Sequence, residues 1–279
     1  MTARAGTAPN PITIRRVVVG FIVAGIGIAC VTIPWAFYLL ILAIGFASLY
    51  ELNTLCEIKG QPLEYPVAVL GVFGYIALSI FMKLAKWEGA LLAAIIIAAF
   101  WIGMYGSEKG YFARTAYTLL AVLYIGKLLT YWILIRQVPG TGMWLTLYVV
   151  ILIACTDIFG MIVGTIAGRT QLTKISPKKT VEGSLGALAI VTGIAVVGTM
   201  LPQLHLLWWQ GAVLGVCTSI AAQAGDLVES ALKRDAGVKD AGSMIQGHGG
   251  VLDRFDSYLF GGMAFFGTLH LLGILQVTT

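Results

Sequence analysis

The chain has 279 residues, of which 58% are hydrophobic and 11% charged, with 18 Lys and Arg against 13 Asp and Glu. A soluble domain carries about 25% charged residues, so this composition, with a mean hydropathy of +0.90, excludes a water-soluble globule and puts the chain in lipid. The net charge of +5 brings no basic stripe interleaved with aromatics, and no nucleic-acid partner is expected.

Residues 1–16 read as a short polar tail on the cytoplasmic side, with Pro9 and Pro11 against regular structure. Arg15-Arg16 before an apolar run could open a signal peptide, and Ala29-Cys30 faintly suggests a lipidation site. Against this, Gly27 stands where a large aliphatic is required, and no cleavage pattern follows. Apolar runs long enough to cross about 30 Å of hydrocarbon then follow near 17–33, 34–50, 66–82, 89–105, 112–135, 143–166, 185–201, 207–232 and 257–275. Backbone inside a bilayer must satisfy its own hydrogen bonds. The expected fold is therefore all-α, a polytopic integral membrane protein of about nine transmembrane helices. Cys30, Cys56, Cys155 and Cys217 have no ligand-like spacing, so neither a disulfide framework nor a zinc site is expected.

With the N-terminus inside, fourteen of the Lys and Arg fall in inner connections and three, Lys83, Lys86 and Arg136, in outer ones, while Lys127 lies within a span. Basic residues gather in loops that stay in the cytoplasm. The two charged connections, about 167–184 and 233–256, accordingly face the cytoplasm. Residues 157–256 hold eight of the thirteen acids, and the first half of the chain is nearly inert by comparison. A carboxylate near mid-helix costs roughly 2.5–3.5 kcal/mol on insertion scales, so Asp157 and Asp226 require a polar interior or a cation.

Three stretches carry chemistry. In 223–234, Asp226, Glu229, Ser230, Lys233 and Arg234 share one helical face. That spacing alone also fits a solvated salt-bridge stripe, yet Asp226 follows an apolar run, where a solvated face should not begin. In 247–256, glycines around His248 allow backbone N–H groups to approach phosphate oxygens ahead of a positive helix N-terminus. Asp253 and Asp256, three apart, can turn to one side and hold a hard divalent cation, although acids in a first helical turn also simply suit the helix dipole. In 176–183, Ser176-Pro177 can start a helix and Lys178-Lys179 place two cations at the membrane surface, as a plain positive-inside loop would.

Taken together, Ser230-x-x-Lys233-Arg234-x4-Lys239-Asp240-x7-His248-Gly249-Gly250-x-x-Asp253-Arg254-x-Asp256 resembles the signature of the CDP-diacylglycerol synthases, or phosphatidate cytidylyltransferases. Ser176–Gly183 and Gly225-Asp226-Leu227-x-Glu229-Ser230 look like further blocks of that family in the expected order. Asp157 is followed by Ile158-Phe159-Gly160 where the family often has a small residue or Thr and then an aromatic. This departure leaves Asp157 without an assigned role.

The resemblance implies a nucleotidyltransferase of phospholipid biosynthesis in which phosphatidic acid attacks the α-phosphorus of CTP and pyrophosphate leaves. It implies a catalytic region at 141–279 following an N-terminal transmembrane region at 17–140, an active site on the cytoplasmic side of a membrane, expected to be bacterial, and a homodimer. Asp226, Asp253 and Asp256 match the family's acidic positions and are expected to hold Mg2+, one ion or two, with Lys233 and Arg254 beside them in catalysis. Ser176, Lys178, Lys179, Thr180, Glu229, Ser230, Arg234, Lys239, Asp240, His248, Gly249 and Gly250 are the expected substrate-binding set. His248 is expected to shape the loop rather than act as a base, because a phosphatidate oxygen is already ionised near neutral pH. The rival readings are a CTP-dependent polyprenol kinase and a membrane transporter. A transporter commonly shows repeated halves, and the polar chemistry here is confined to the C-terminal part.

Overall fold

The computed structural model describes residues 25, 27–82, 84–105, 109–242 and 249–275. The tail, most of the run expected at 17–33, Lys83 and His248 lie outside the described residues. From Pro34 onward, the α-helices among the described residues are, in order, α1 Pro34–Ile58, α2 Tyr65–Phe81, α3 Leu84–Gly103, α4 Tyr111–Ala121, α5 Leu128–Arg136, α6 Gly142–Ala167, α7 Val181–Gly198, α8 Trp208–Asp235 and α9 Leu252–Leu271. Helices α4 and α5 are joined without a break by a π-helical stretch, Val122–Lys127, so the span expected at 112–135 is one continuous element. Among the described residues no strand forms beyond an isolated bridge between Gln171 and Thr180.

Six of these segments are long and apolar enough to cross a membrane: Pro34–Ile58, Lys86–Gly103, Tyr111–Arg136, Gly142–Ala167, Val181–Gly198 and Trp208–Asp235. Tyr65–Phe81 is apolar but shorter. Large apolar side chains such as Leu39, Leu70, Ile166, Met200 and Leu271 stand exposed on the helix surfaces, as hydrocarbon-facing side chains do. This is an all-helical membrane protein.

One boundary differs in a way that matters for the site. The apolar run beginning at Pro34 was expected to end near residue 50, yet α1 continues to Ile58. The polar residues Glu51 and Asn53 belong to its last turns, because buried Leu49, Leu52, Leu55 and Cys56 continue the packed face past them.

Close approach between helices rests on small residues, which substitute in lipid for a hydrophobic driving force. A Cβ at Gly225 of α8 would lie 2.5 Å from the Asp256 carbonyl oxygen of α9, and one at Gly262 of α9 would lie 2.4 Å from Trp132 Nε1. Trp132 in turn donates to the Tyr258 carbonyl at 3.0 Å, tying α5 to α9.

Helix ends gather on two sides of the bundle. On one side Lys59 pairs with Asp235, Arg114 with Glu64 at 3.1 Å, and the 168–180 connection carries exposed Lys174 and Lys178. On the other, Arg136 donates to the Val31 carbonyl at 2.9 Å and Gln137 to that of Ser79 at 3.1 Å. This arrangement yields a direct expectation for a protein lacking its native cysteines. Lys174→Cys and Lys239→Cys should react with an impermeant maleimide from the same side, and Gln203→Cys from the opposite one. Labelling of all three from one side would contradict the helix order.

Candidate active site

The 168–180 connection is shaped by the start of α7. Thr180 caps that helix, its Oγ1 accepting from the Gly183 amide at 3.1 Å. Glu182 reaches back to accept from the Arg169 and Thr170 amides at 3.1 Å each. The expectation that Ser176-Pro177 starts a helix is corrected here: α7 begins at Val181, because Thr180 supplies the cap and Ser176 closes a turn with the Lys179 amide at 3.0 Å. That turn carries Lys179 to Asp226 on α8, where the two form an ion pair. Ser230, one turn along α8, contacts the other Asp226 oxygen at 3.4 Å.

Further along the same face Glu229 is 0% exposed, which rules out the solvated-stripe reading of this helix. Its charge is met by Lys233 at i+4, 2.5 Å away. Lys233 also donates to Asp253 Oδ1 at 2.6 Å, so one ammonium bridges two carboxylates and fastens α9 to α8. Asp253 also engages the loop. Its Oδ2 accepts from the Gly250 amide at 2.7 Å and the Ala241 amide at 3.0 Å.

Those bonds engage one member of the metal set expected from the sequence. Asp253 was expected to turn with Asp256 toward a shared cation, whereas its carboxylate is engaged by Lys233 and two loop amides. Among the described residues no group of three or more His, Cys, Asp or Glu is arranged to hold a metal ion. Asp256 is 7% exposed, accepts from the Ser257 amide at 2.6 Å, and lies within electrostatic reach of Asp226 and Asp157. Asp157, left without a role by the sequence, contacts Ser257 Oγ at 3.3 Å and feels Asp226 and Lys179 as neighbours. The acids within electrostatic reach of one another are therefore Asp157, Asp226 and Asp256. The signal for Asp157 was present in the sequence as an acid deep in an apolar run.

The glycine-rich loop differs from expectation in the same way. Gly249 adopts a left-handed φ of 84°, a conformation that glycine takes without strain. The amides that follow, however, are not presented to a phosphate. Gly250 donates to Asp253, while Val251 and Leu252 donate to Glu51 at 2.9 and 2.8 Å. Glu51, 1% exposed, comes from α1, in the half of the chain expected to be inert. Of the remaining expected residues, Lys178, Lys239, Asp240, Arg234 and Arg254 are exposed at the rim, with Arg234 donating to the Val238 carbonyl at 3.1 Å. The position of His248 lies outside the described residues.

Comparison with known proteins accords with this architecture. The model of the cytidylyltransferase family matches residues 14–272. This chain belongs to that family. It is 34% identical to the phosphatidate cytidylyltransferase of Bacillus subtilis (strain 168) over 236 residues, covering 80% of this chain and 85% of the relative. The Synechocystis enzyme of the same name is 34% identical over 257 residues, 81% of this chain and 85% of its own. The chloroplastic phosphatidate cytidylyltransferase 5 of Arabidopsis thaliana is 33% identical over 290 residues, 92% of this chain and 70% of its own.

Because Glu229 is fully buried, its pairing with Lys233 gives a stability test for this member of the cytidylyltransferase family. Removing one partner of a buried pair costs about 3–5 kcal/mol, largely from the charge left behind. Lys233→Met should lower the melting temperature in detergent, and adding Glu229→Gln should recover a large part of the loss. A double variant no more stable than Lys233→Met would show that the buried charge is not the cause.

Proposed function

We propose that this protein transfers CMP from CTP to phosphatidic acid, forming CDP-diacylglycerol and releasing pyrophosphate, where the 168–180 connection meets α8 and α9. The observation that carries this reading is the approach of Lys179, Asp226, Asp256 and Asp157 from four parts of a family-matching chain, the 168–180 connection, α8, α9 and α6. The phosphatidate oxygen is ionised near neutral pH and requires no general base. What the reaction requires is two anionic substrates held in line and the growing charge on the leaving pyrophosphate neutralised.

The residues divide this work between them. Lys179 and Lys178 offer cations to phosphate oxygens from the basic connection, and Lys239, Arg234 and Arg254 extend the positive rim. Ser176, Ser230 and Asp240 complete the substrate-binding set, while the loop glycines shape the backbone around Asp253 and Glu51. Lys233, held by Glu229 and Asp253, keeps the loop against α8, and Thr180 and Glu182 fix the connection that carries Lys179. Asp157, Asp226 and Asp256 are not grouped as a ligand set in this structure, but they lie within electrostatic reach of one another, and a divalent cation that drew their hard carboxylate oxygens together would relieve their mutual repulsion. When bound, Mg2+ would supply charge neutralisation at the phosphate oxygens.

The same reading has nine membrane crossings. The six long apolar segments are joined by Tyr65–Phe81, Leu252–Leu271 and the run at 17–33. The site opens to the cytoplasm, as the asymmetry of Lys and Arg supports. The resemblance adds a homodimer, whose mass light scattering in detergent would report.

The deciding experiment incubates the purified protein with phosphatidic acid, Mg2+ and CTP labelled at either the α- or the γ-phosphorus. α-Label should enter the organic phase, while γ-label should remain in water as pyrophosphate. γ-Label in lipid would identify a lipid kinase instead. Asp226→Asn and Asp256→Asn should each lower turnover by at least about 10²-fold, the scale of losing one electrostatic stabiliser, with the melting profile retained. Near-normal rates and metal dependence in both would place the chemistry elsewhere. Lys179→Ala should reduce kcat/KM more than Lys178→Ala, since Lys179 reaches Asp226; equal effects would make the pair a membrane-surface feature.

A further inference from the structure

The polar groups of the site come from α6 to α9, with one exception. Glu51 lies in α1, about two hundred residues away in sequence from the loop it touches. Both of its carboxylate oxygens are used. Oε1 accepts from the Val251 amide at 2.9 Å and Oε2 from the Leu252 amide at 2.8 Å. These amides begin α9 and have no acceptor within the helix itself. A buried anion here also faces the positive end of the helix dipole, which offsets the cost of its own desolvation.

The surrounding backbone is built around this carboxylate. A Cβ at Gly242 would come within 2.5 Å of Oε1, and a Cβ at Gly250 within 2.5 Å of Oε2. Glycine at both positions thus lets the backbone at Gly242 and at Gly250 lie directly against the Glu51 carboxylate. Leu252, whose amide Glu51 holds, directly precedes Asp253 and stands one helical turn before Asp256. Fixing its backbone fixes the direction in which both acids leave α9.

We infer that Glu51 is a positioning residue for the transfer reaction: it clamps Val251 and Leu252, and through them orients Asp253 and Asp256 within the site. This inference rests on the reading above that Asp256 belongs to the reacting centre. It also gives the N-terminal helices a part in catalysis, because the clamp reaches the loop from α1 and not from the helices that carry the other polar groups.

Glu51→Gln preserves volume while replacing one acceptor oxygen with a donor that faces an amide. Groups that orient metal ligands from behind commonly account for about 10–100-fold in metal affinity or activity, and the clamp behind Asp256 is expected to act on that scale. The experiment measures kcat and KM for CTP per folded protein, the Mg2+ dependence of the rate, and amide exchange by mass spectrometry, with Asp256→Asn run in parallel. Glu51→Gln should lower kcat at least tenfold with less than a threefold change in KM. Exchange should rise in peptides covering 249–256 and stay unchanged in those covering 142–160. Glu51→Asp, one methylene shorter, should recover part of kcat because it restores two acceptor oxygens. A normal kcat in Glu51→Gln beside an impaired Asp256→Asn would overturn the inference alone, and normal rates in both would overturn the site itself. If exchange rises throughout the molecule while kcat per folded protein is unchanged, Glu51 is merely structural and the inference fails.

Discussion

A carboxylate with no access to water must find a cation or a set of N–H donors, and the polar end of this bundle is organised by that requirement. Glu229 is sealed between helices, and Lys233 is the cation that meets it. Because Lys233 also reaches Asp253, the neutralisation of one buried acid determines where α9 lies against α8. Asp253 then gathers the amides of Ala241 and Gly250, so the connection between the helices is anchored at both ends. Removing the ammonium would leave buried negative charge on α8 and break the ion pair that ties Asp253 of α9 to it.

Glu51 meets the same constraint by a different route. Its negative charge is balanced by amide donors at the start of α9, and the room for it comes from Gly242 and Gly250. Two buried acids from opposite ends of the sequence thereby hold one segment of about a dozen residues. Asp157, Asp226 and Asp256 remain beside this scaffold, Lys179 pairing with Asp226 and lying near Asp157, and Lys233 lying near Asp256.

The packing that permits this is an economy of small side chains. Gly225 brings the α9 backbone onto α8 at the level of Asp256, and Gly262 lets Trp132 reach the same helix from α5. In hydrocarbon these close approaches replace the burial of apolar surface as the basis of specificity. The exposed aliphatic and aromatic side chains elsewhere are the complementary surface, facing lipid.

The sequence by itself determined the solvent, the helical class and the family, because hydrocarbon leaves few ways to satisfy a backbone and because the acid and base spacings in 176–183 and 223–256 are local. It also brought out Asp226, Glu229, Lys233, Asp253 and Asp256 as one chemical group, since helical periodicity places the first three on a common face. It did not determine what each acid touches. Asp253 and Asp256 stand three apart and were read as partners, yet only packing reveals that Lys233 and the loop amides engage the first while Asp157 stands near the second. Nor could spacing reveal Glu51, because a hydrogen bond between residues two hundred positions apart has no local signature. An acid in the last turns of an apolar helix was visible in the chain, but the helix N-terminus that gives its charge a purpose exists only in the folded bundle.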